Sequence, residues 1–201
     1  MKIRSIIAMF ALLCLALAGC NDKDDIVEDQ REEIVRYLTS SHKPRLIAQE
    51  DVPNSIEDQP HFYERLNKSL YRYIATYYEE GRDARPQVKM GDKVSLVFMA
   101  ANFEGSQPSL DDVYLTNDPN ILSQLAEAGL NTQFWSSEPL VVELGHTKIL
   151  DGVAESLIGC RLGDQVEAYM TLEKAYDNEV IGVVPKDASV VWIYVIADIA
   201  K

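Results

Sequence analysis

Hydrophobic and polar residues alternate through the C-terminal half of the chain. In "VKMGDKVSLVFMAANFEG", Gly91 and Asp92 make a turn and Val94, Leu96 and Phe98 then point one way. The stretches "PLVVELG", "DQVEAYMTL" and "ASVVWIYVIADIAK" repeat this two-residue period of half-buried strands. Upstream, "SLYRYIATYYEEGRD" is dense in tyrosine and ends in a glycine turn, which favours a strand over a helix. Helical spacing occurs in "DDIVEDQREEIVRYLTS", residues 24–40, where Ile26, Ile34, Val35 and Leu38 share a side. Its acids come early and Arg36 late, which suits the helix dipole. Residues 41–62 carry three prolines and many polar residues, so they read as irregular.

One short amphipathic helix, residues 151–158, interrupts the strands within "ELGHTKILDGVAESLIGCRLGD", clamped between glycine turns. The other connections are too short for repeated crossover helices, which argues against a parallel α/β fold. The expected class is α+β, an antiparallel sheet with a helix packed across one face. Residues 105–133 form an insertion with its own helix, capped by Asp118, opened by Pro119 and stopped by Gly129. A connection of that length is either a binding loop or lid, or a decorative insertion. The organisation is a leader at 1–19, an extension at 20–87 and a core domain at 88–201.

The leader changes the picture of compartment. Lys2 and Arg4 precede the apolar run "SIIAMFALLCLALA", which has signal-peptide length and falls short of a comfortable membrane span. It ends in "LAGC", which resembles the lipobox of bacterial lipoproteins; the resemblance implies cleavage before Cys20 and lipidation of that residue. An ordinary signal peptide, or a single anchor helix, is the competing reading. Lys23, Asp24 and Asp25 resemble the lysine and acid pair that directs some Gram-negative lipoproteins to the outer face of the cell; they also read as a solvated acidic tether. The implied location is the bacterial outer membrane, with exposure at the surface if the export signal holds.

Loss of residues 1–19 removes Lys2 and Arg4 and takes the formal charge from −13 to −15. So acidic a chain repels phosphate, which excludes nucleic acid as an electrostatic partner. Among the cysteines, Cys14 leaves with the leader and Cys20 takes lipid. Cys160, left alone, cannot form an internal disulfide and sits in the apolar "LIGCRLG", where a small buried hydrophobe is expected. His42, His61 and His146 share no metal-ligand spacing, and Asp111, Asp112 and Asp118 lack the spacing of a calcium loop, so neither a metal nor a cofactor is expected.

The ordered segments "GDKVSLVF", "FWSS", "PLVVELG", "ILDGVAESLIGCRLGD", "AYMTLEKAY" and "GVVPKDASVVWIYVIADI" resemble the FKBP-type peptidyl-prolyl cis–trans isomerases across residues 88–201. The resemblance implies an antiparallel sheet wrapped around the short helix, which floors an apolar pocket. It implies that Phe98, Phe134, Leu140, Val142, Ile149, Leu150, Val153, Tyr176, Val184 and Trp192 line that pocket. The Leu150 N–H would hold a substrate carbonyl and the Tyr176 hydroxyl would donate a second hydrogen bond. Each of these residues could equally be core or a loop cap. Two departures stand out: Val153 replaces the family's usual tryptophan floor, and Trp135 replaces the aspartate of "FDSS", bringing an indole that could refill the space.

Such a site needs few titratable groups. Rotation about an Xaa-Pro bond breaks amide resonance against a barrier of roughly 18–20 kcal/mol. An apolar cage that prefers the twisted, less polar amide lowers that barrier by differential binding. The implied partners are proline-containing exported polypeptides, and the membrane through Cys20. A binding or chaperone module without turnover, or a surface accessory protein using the 105–133 insertion, are the alternatives, and Val153 and Trp135 favour reduced activity.

Overall fold

The computed structural model describes residues 22–53 and 59–201, so the leader and Cys20 lie outside the described residues. The alternating stretches form strands: β1 (Ile47–Ala48), β2 (Phe62–Asn67), β3 (Leu70–Ile74), β4 (Lys93–Asn102), β5 (Val113–Thr116), β6 (Leu140–Glu143), β7 (Gln165–Met170) and β8 (Val190–Ala200). The helices are α1 (Asp22–Arg36), α2 (Pro119–Glu127) and α3 (Asp151–Leu157), and α1 runs on through a π turn at Tyr37–Ser41. The fold is α+β, a mixed sheet with few helices.

The sheet runs β1-β2-β3-β7-β8-β4-β5, with β6 also beside β4. Every pair is antiparallel except β1 with β2, which correction makes the sheet mixed where alternation alone implied an antiparallel one. The departure lies in the segment expected to be irregular, where residues 47–48 fold alongside the start of β2.

Strand β4 organises the rest. One edge pairs with β8 from Lys93 opposite Ala200 to Asn102 opposite Val190. The other edge carries two short strands end to end, β6 against residues 93–96 and β5 against residues 99–101. Asn117 secures the junction between them. Its Oδ1 accepts the Phe98 N–H at 2.7 Å, and its Nδ2 donates to the carbonyls of Leu96 and Glu138 at 2.8 and 3.0 Å.

Both faces of the sheet are covered. Side chains alternate along a strand, so in β3 Leu70 and Ile74 join the core on one face while Tyr71 and Tyr73 join the core on the other. The first core holds Val153 and Leu157 of α3. The second holds Ile34 of α1, Tyr37 and Leu38 of the π turn and Leu125 of α2. The buried stripe of α1 includes Val27, and Ile26 is half-buried.

The short helix is held by its neighbours at both ends. A Cβ at Gly152 would run into the Met170 thioether and the Lys174 carbonyl oxygen, so only glycine lets α3 lie this close to β7. After the helix, Gly159 takes φ +84° and the chain turns. The buried Arg72 guanidinium reaches from β3 to the carbonyls of Ser156 and Ile158, both at 2.7 Å, and its Nε donates to Glu64 at 2.6 Å. A cation at the C-terminal carbonyls complements the helix dipole. Cys160 is fully buried there, its thiol donates to the Ser156 carbonyl at 3.2 Å, and burial pushes its pKa up to about 11, so it behaves as core.

Candidate functional site

The split edge of the sheet opens into a cleft of about 640 Å³ above the first core. Trp192 of β8 forms part of its wall, with Leu140 from β6, Ile149 and Leu150 from the approach to α3, and Tyr176 from the loop after β7. The two-residue period of β8 turns Trp192 inward beside Phe98 of β4. Their rings stack at 4.5 Å with an interplanar angle of 8°, an arrangement that fixes the indole plane.

Thr147, Lys148, Asp177 and Glu179 border the cleft at exposed positions, and its more buried polar groups are few. The Trp192 Nε1–H donates to the Tyr114 hydroxyl at 2.9 Å, and the Tyr176 hydroxyl donates to the same oxygen at 3.5 Å. The Tyr114 and Tyr176 rings meet edge-on at 5.9 Å. Burial, followed by the neighbouring Tyr176 hydroxyl, pushes the Tyr114 phenol far above its usual value, so it keeps its proton. With its oxygen accepting from both neighbours, Tyr114 retains that proton for a third partner. Leu150 stands at the N-cap of α3, and its N–H meets no acceptor among the described residues. Together they offer a ligand carbonyl two kinds of donor in apolar surroundings.

The structure divides the predicted site residues into three groups. Leu140, Ile149, Leu150, Tyr176 and Trp192 border the cleft. Val142, Val153 and Val184 are fully buried in the first core, so Val153 lies beneath the cleft and opens no space at its base. Phe98 backs Trp192 and borders a second hollow of about 560 Å³, together with Phe134 and Trp135.

Phe134 and Trp135 need correction as cleft residues. Phe134 is 83% exposed, and Trp135 packs against the second core, with Met99 and Ile121, on the opposite face from Val153. The indole therefore refills nothing under the cleft. The physical reason is strand pairing: "VYLT" at 113–116 takes the place on β4 beside Phe98, and "FWSS" is left in the loop that follows α2.

Tyr114, which accepts the hydrogen bonds of two cleft residues, is the candidate site residue that sequence reasoning missed. It lies inside the segment read as an insertion, on a strand only four residues long. The period-two alternation of Val113, Tyr114 and Leu115 was the available signal.

No family model and no curated protein matches the chain. Among solved structures it is similar to the N-terminal domain of FKBP42 from Arabidopsis thaliana, at 16% identity and a TM-score of 0.47, over 75% of this chain and 98% of that one.

Proposed function

We propose that the cleft binds prolyl segments of polypeptides and that the protein is an FKBP-type peptidyl-prolyl cis–trans isomerase-like lipoprotein of low activity, assisting the folding of exported proteins. The observation that carries this reading is the meeting of Trp192 and Tyr176, both bonded to the Tyr114 hydroxyl, with Ile149 and Leu150 around one cleft. A prolyl ring packs against Leu140 and Ile149, which Trp192 backs. The Leu150 N–H and a tyrosine hydroxyl hold the flanking carbonyls, and the apolar wall disfavours the planar, charge-separated amide more than the twisted one. The chemistry calls for no nucleophile.

The reading extends to location. Lys23 pairs with Asp177 on the cleft rim at 2.7 Å, and Cys20 is three residues before it. Three residues span at most about 10 Å, so a lipid on Cys20 keeps the cleft mouth close to the bilayer of the outer membrane. Globomycin, which blocks lipoprotein leader cleavage, then leaves the larger precursor; an unchanged mass removes the anchor from the account.

A binding module without turnover is the second reading. The observation that favours it is the Tyr176 hydroxyl directed at Tyr114, which occupies its proton. Titration with a labelled prolyl tetrapeptide tests the cleft itself: shifts at the Leu150 amide and the Trp192 indole N–H support it, and shifts confined to other residues refute it.

A further inference from the structure

Beyond the cleft, the second hollow lies across a ridge formed by Leu115 and Leu140, which border both spaces. Phe98, Phe134, Trp135, Pro139 and Val141 complete its apolar lining. Phe134 is 83% exposed and Val141 54%. An aromatic side chain so open, beside other apolar residues, marks a contact surface more than a scattered exposed residue does.

The strand edge beside this hollow has one backbone donor to offer. Among the described strands β6 pairs only with β4. The Glu143 N–H donates to Thr147 Oγ1 at 2.9 Å and so points away from β4. Backbone N–H groups two residues apart on a strand point the same way, which turns the Val141 N–H outward as well. A chain laid along that edge gains main-chain hydrogen bonds while alternate side chains enter the hollows.

Charge selects which chain. Glu138 borders the second hollow, and Asp177 and Glu179 border the cleft, against Lys148 alone on the basic side. Asp177 is engaged by Lys23, but neither Glu138 nor Glu179 has an ion-pair partner among the described residues. The formal charge of the whole chain is −13, which adds a long-range pull on cations.

We propose that the hollow bounded by Phe134, Val141 and Glu138 is a second subsite, continuous with the cleft, for an extended polypeptide that carries an apolar residue beside a lysine or arginine. Side chains two residues apart in an extended chain lie about 7 Å apart on one side, so one enters the cleft while the next crosses the Leu115–Leu140 ridge. The proposal shares with the proposed function the reading of the cleft as a polypeptide site, and it does not require turnover.

The test uses a proline-free nonapeptide of alternating leucine and lysine, its leucine–glutamate counterpart, and a short prolyl tetrapeptide, each labelled for fluorescence anisotropy at low and high salt. The leucine–lysine peptide binds at least tenfold more tightly than the glutamate peptide, and salt weakens it. Phe134→Ser and Glu138→Lys, both at exposed positions, each weaken it at least fivefold and leave tetrapeptide binding unchanged. If the tetrapeptide fails to bind while the leucine–lysine peptide still responds to Phe134→Ser, the prolyl reading of the cleft falls and the subsite stands. Equal binding of the two nonapeptides, or affinity indifferent to both variants, overturns the subsite. So does a dimer in sedimentation that Phe134→Ser dissolves, since a second copy of the chain would then be the occupant.

Discussion

Trp192 hands its indole Nε1–H to the Tyr114 hydroxyl across 2.9 Å, joining the last strand of the sheet to the four-residue strand inside the chain's longest connection. Segment 105–133 is thereby part of the cleft wall as well as an excursion from it. Trp192 is 3% exposed, so its N–H is sheltered from bulk solvent.

Tyr114→Phe should therefore cost about 1–3 kcal/mol of stability, the penalty of leaving a buried donor unpaired. Chemical denaturation measures it, and the indole emission shifts with the loss of the hydrogen bond. A variant as stable as the wild type would show that the Trp192 N–H finds another acceptor.

Asp164 is fully buried and accepts from Arg82 through two parallel hydrogen bonds of 2.8 and 2.7 Å, and from the Arg161 N–H at 2.8 Å. Asp164→Asn strands a buried guanidinium, and losing one partner of such a pair typically costs about 3–5 kcal/mol. The expected result is a large fall in the denaturation midpoint. An unchanged midpoint would show that Arg82 relaxes to solvent.

His42 joins the extension to the second core, and both of its ring nitrogens face oxygens. Nε2 lies 3.1 Å from Glu167, which also accepts the Tyr169 hydroxyl, and Nδ1 faces the Pro44 carbonyl. Tyr37 and Tyr73 pack edge-on against the ring, and Tyr73 bonds His61. Burial lowers the His42 pKa, but the hydrogen bonds to Glu167 and Pro44 and the charge of Glu167 outweigh it, raising the value above 6.5. A raised folded-state value contributes stability that is complete below the unfolded pKa of about 6.5 and is lost as pH climbs through the folded one. Stability should thus decline above pH 6.5 by at most about 1.4 kcal/mol per pH unit, and His42→Gln should flatten that slope. A wild type whose stability does not fall from pH 6.5 upward would contradict the assignment.

The legible parts of this fold are those whose local pattern agrees with their burial. Strands β4, β6, β7 and β8 show alternation because one side chain in two enters a core, and α2 shows because Asp118 caps it, its side chain accepting from the N–H groups of Asn120 and Ile121. Strand β2 was hidden: it starts where the irregular stretch was expected to end, and the charged Glu64 and Arg65 break its apolar pattern, although Glu64 answers the buried Arg72. The cleft was legible through Leu140, Ile149, Leu150, Tyr176 and Trp192. It was misread at Phe134 and Trp135, because the order of segments cannot say which of two candidate stretches pairs with β4, and pairing places Tyr114 there. Burial of Val153 was equally invisible, since its position in a motif says nothing of how neighbouring side chains close over it.

The central claim is tested most directly by a protease-free prolyl isomerisation assay, following the proline-limited refolding of a model protein beside a short prolyl peptide. The account predicts measurable acceleration that Tyr176→Phe reduces about fivefold, the equivalent of one hydrogen bond of about 1 kcal/mol. No acceleration by protein confirmed as folded, or acceleration untouched by Tyr176→Phe and Tyr114→Phe alike, would contradict an isomerase site in this cleft.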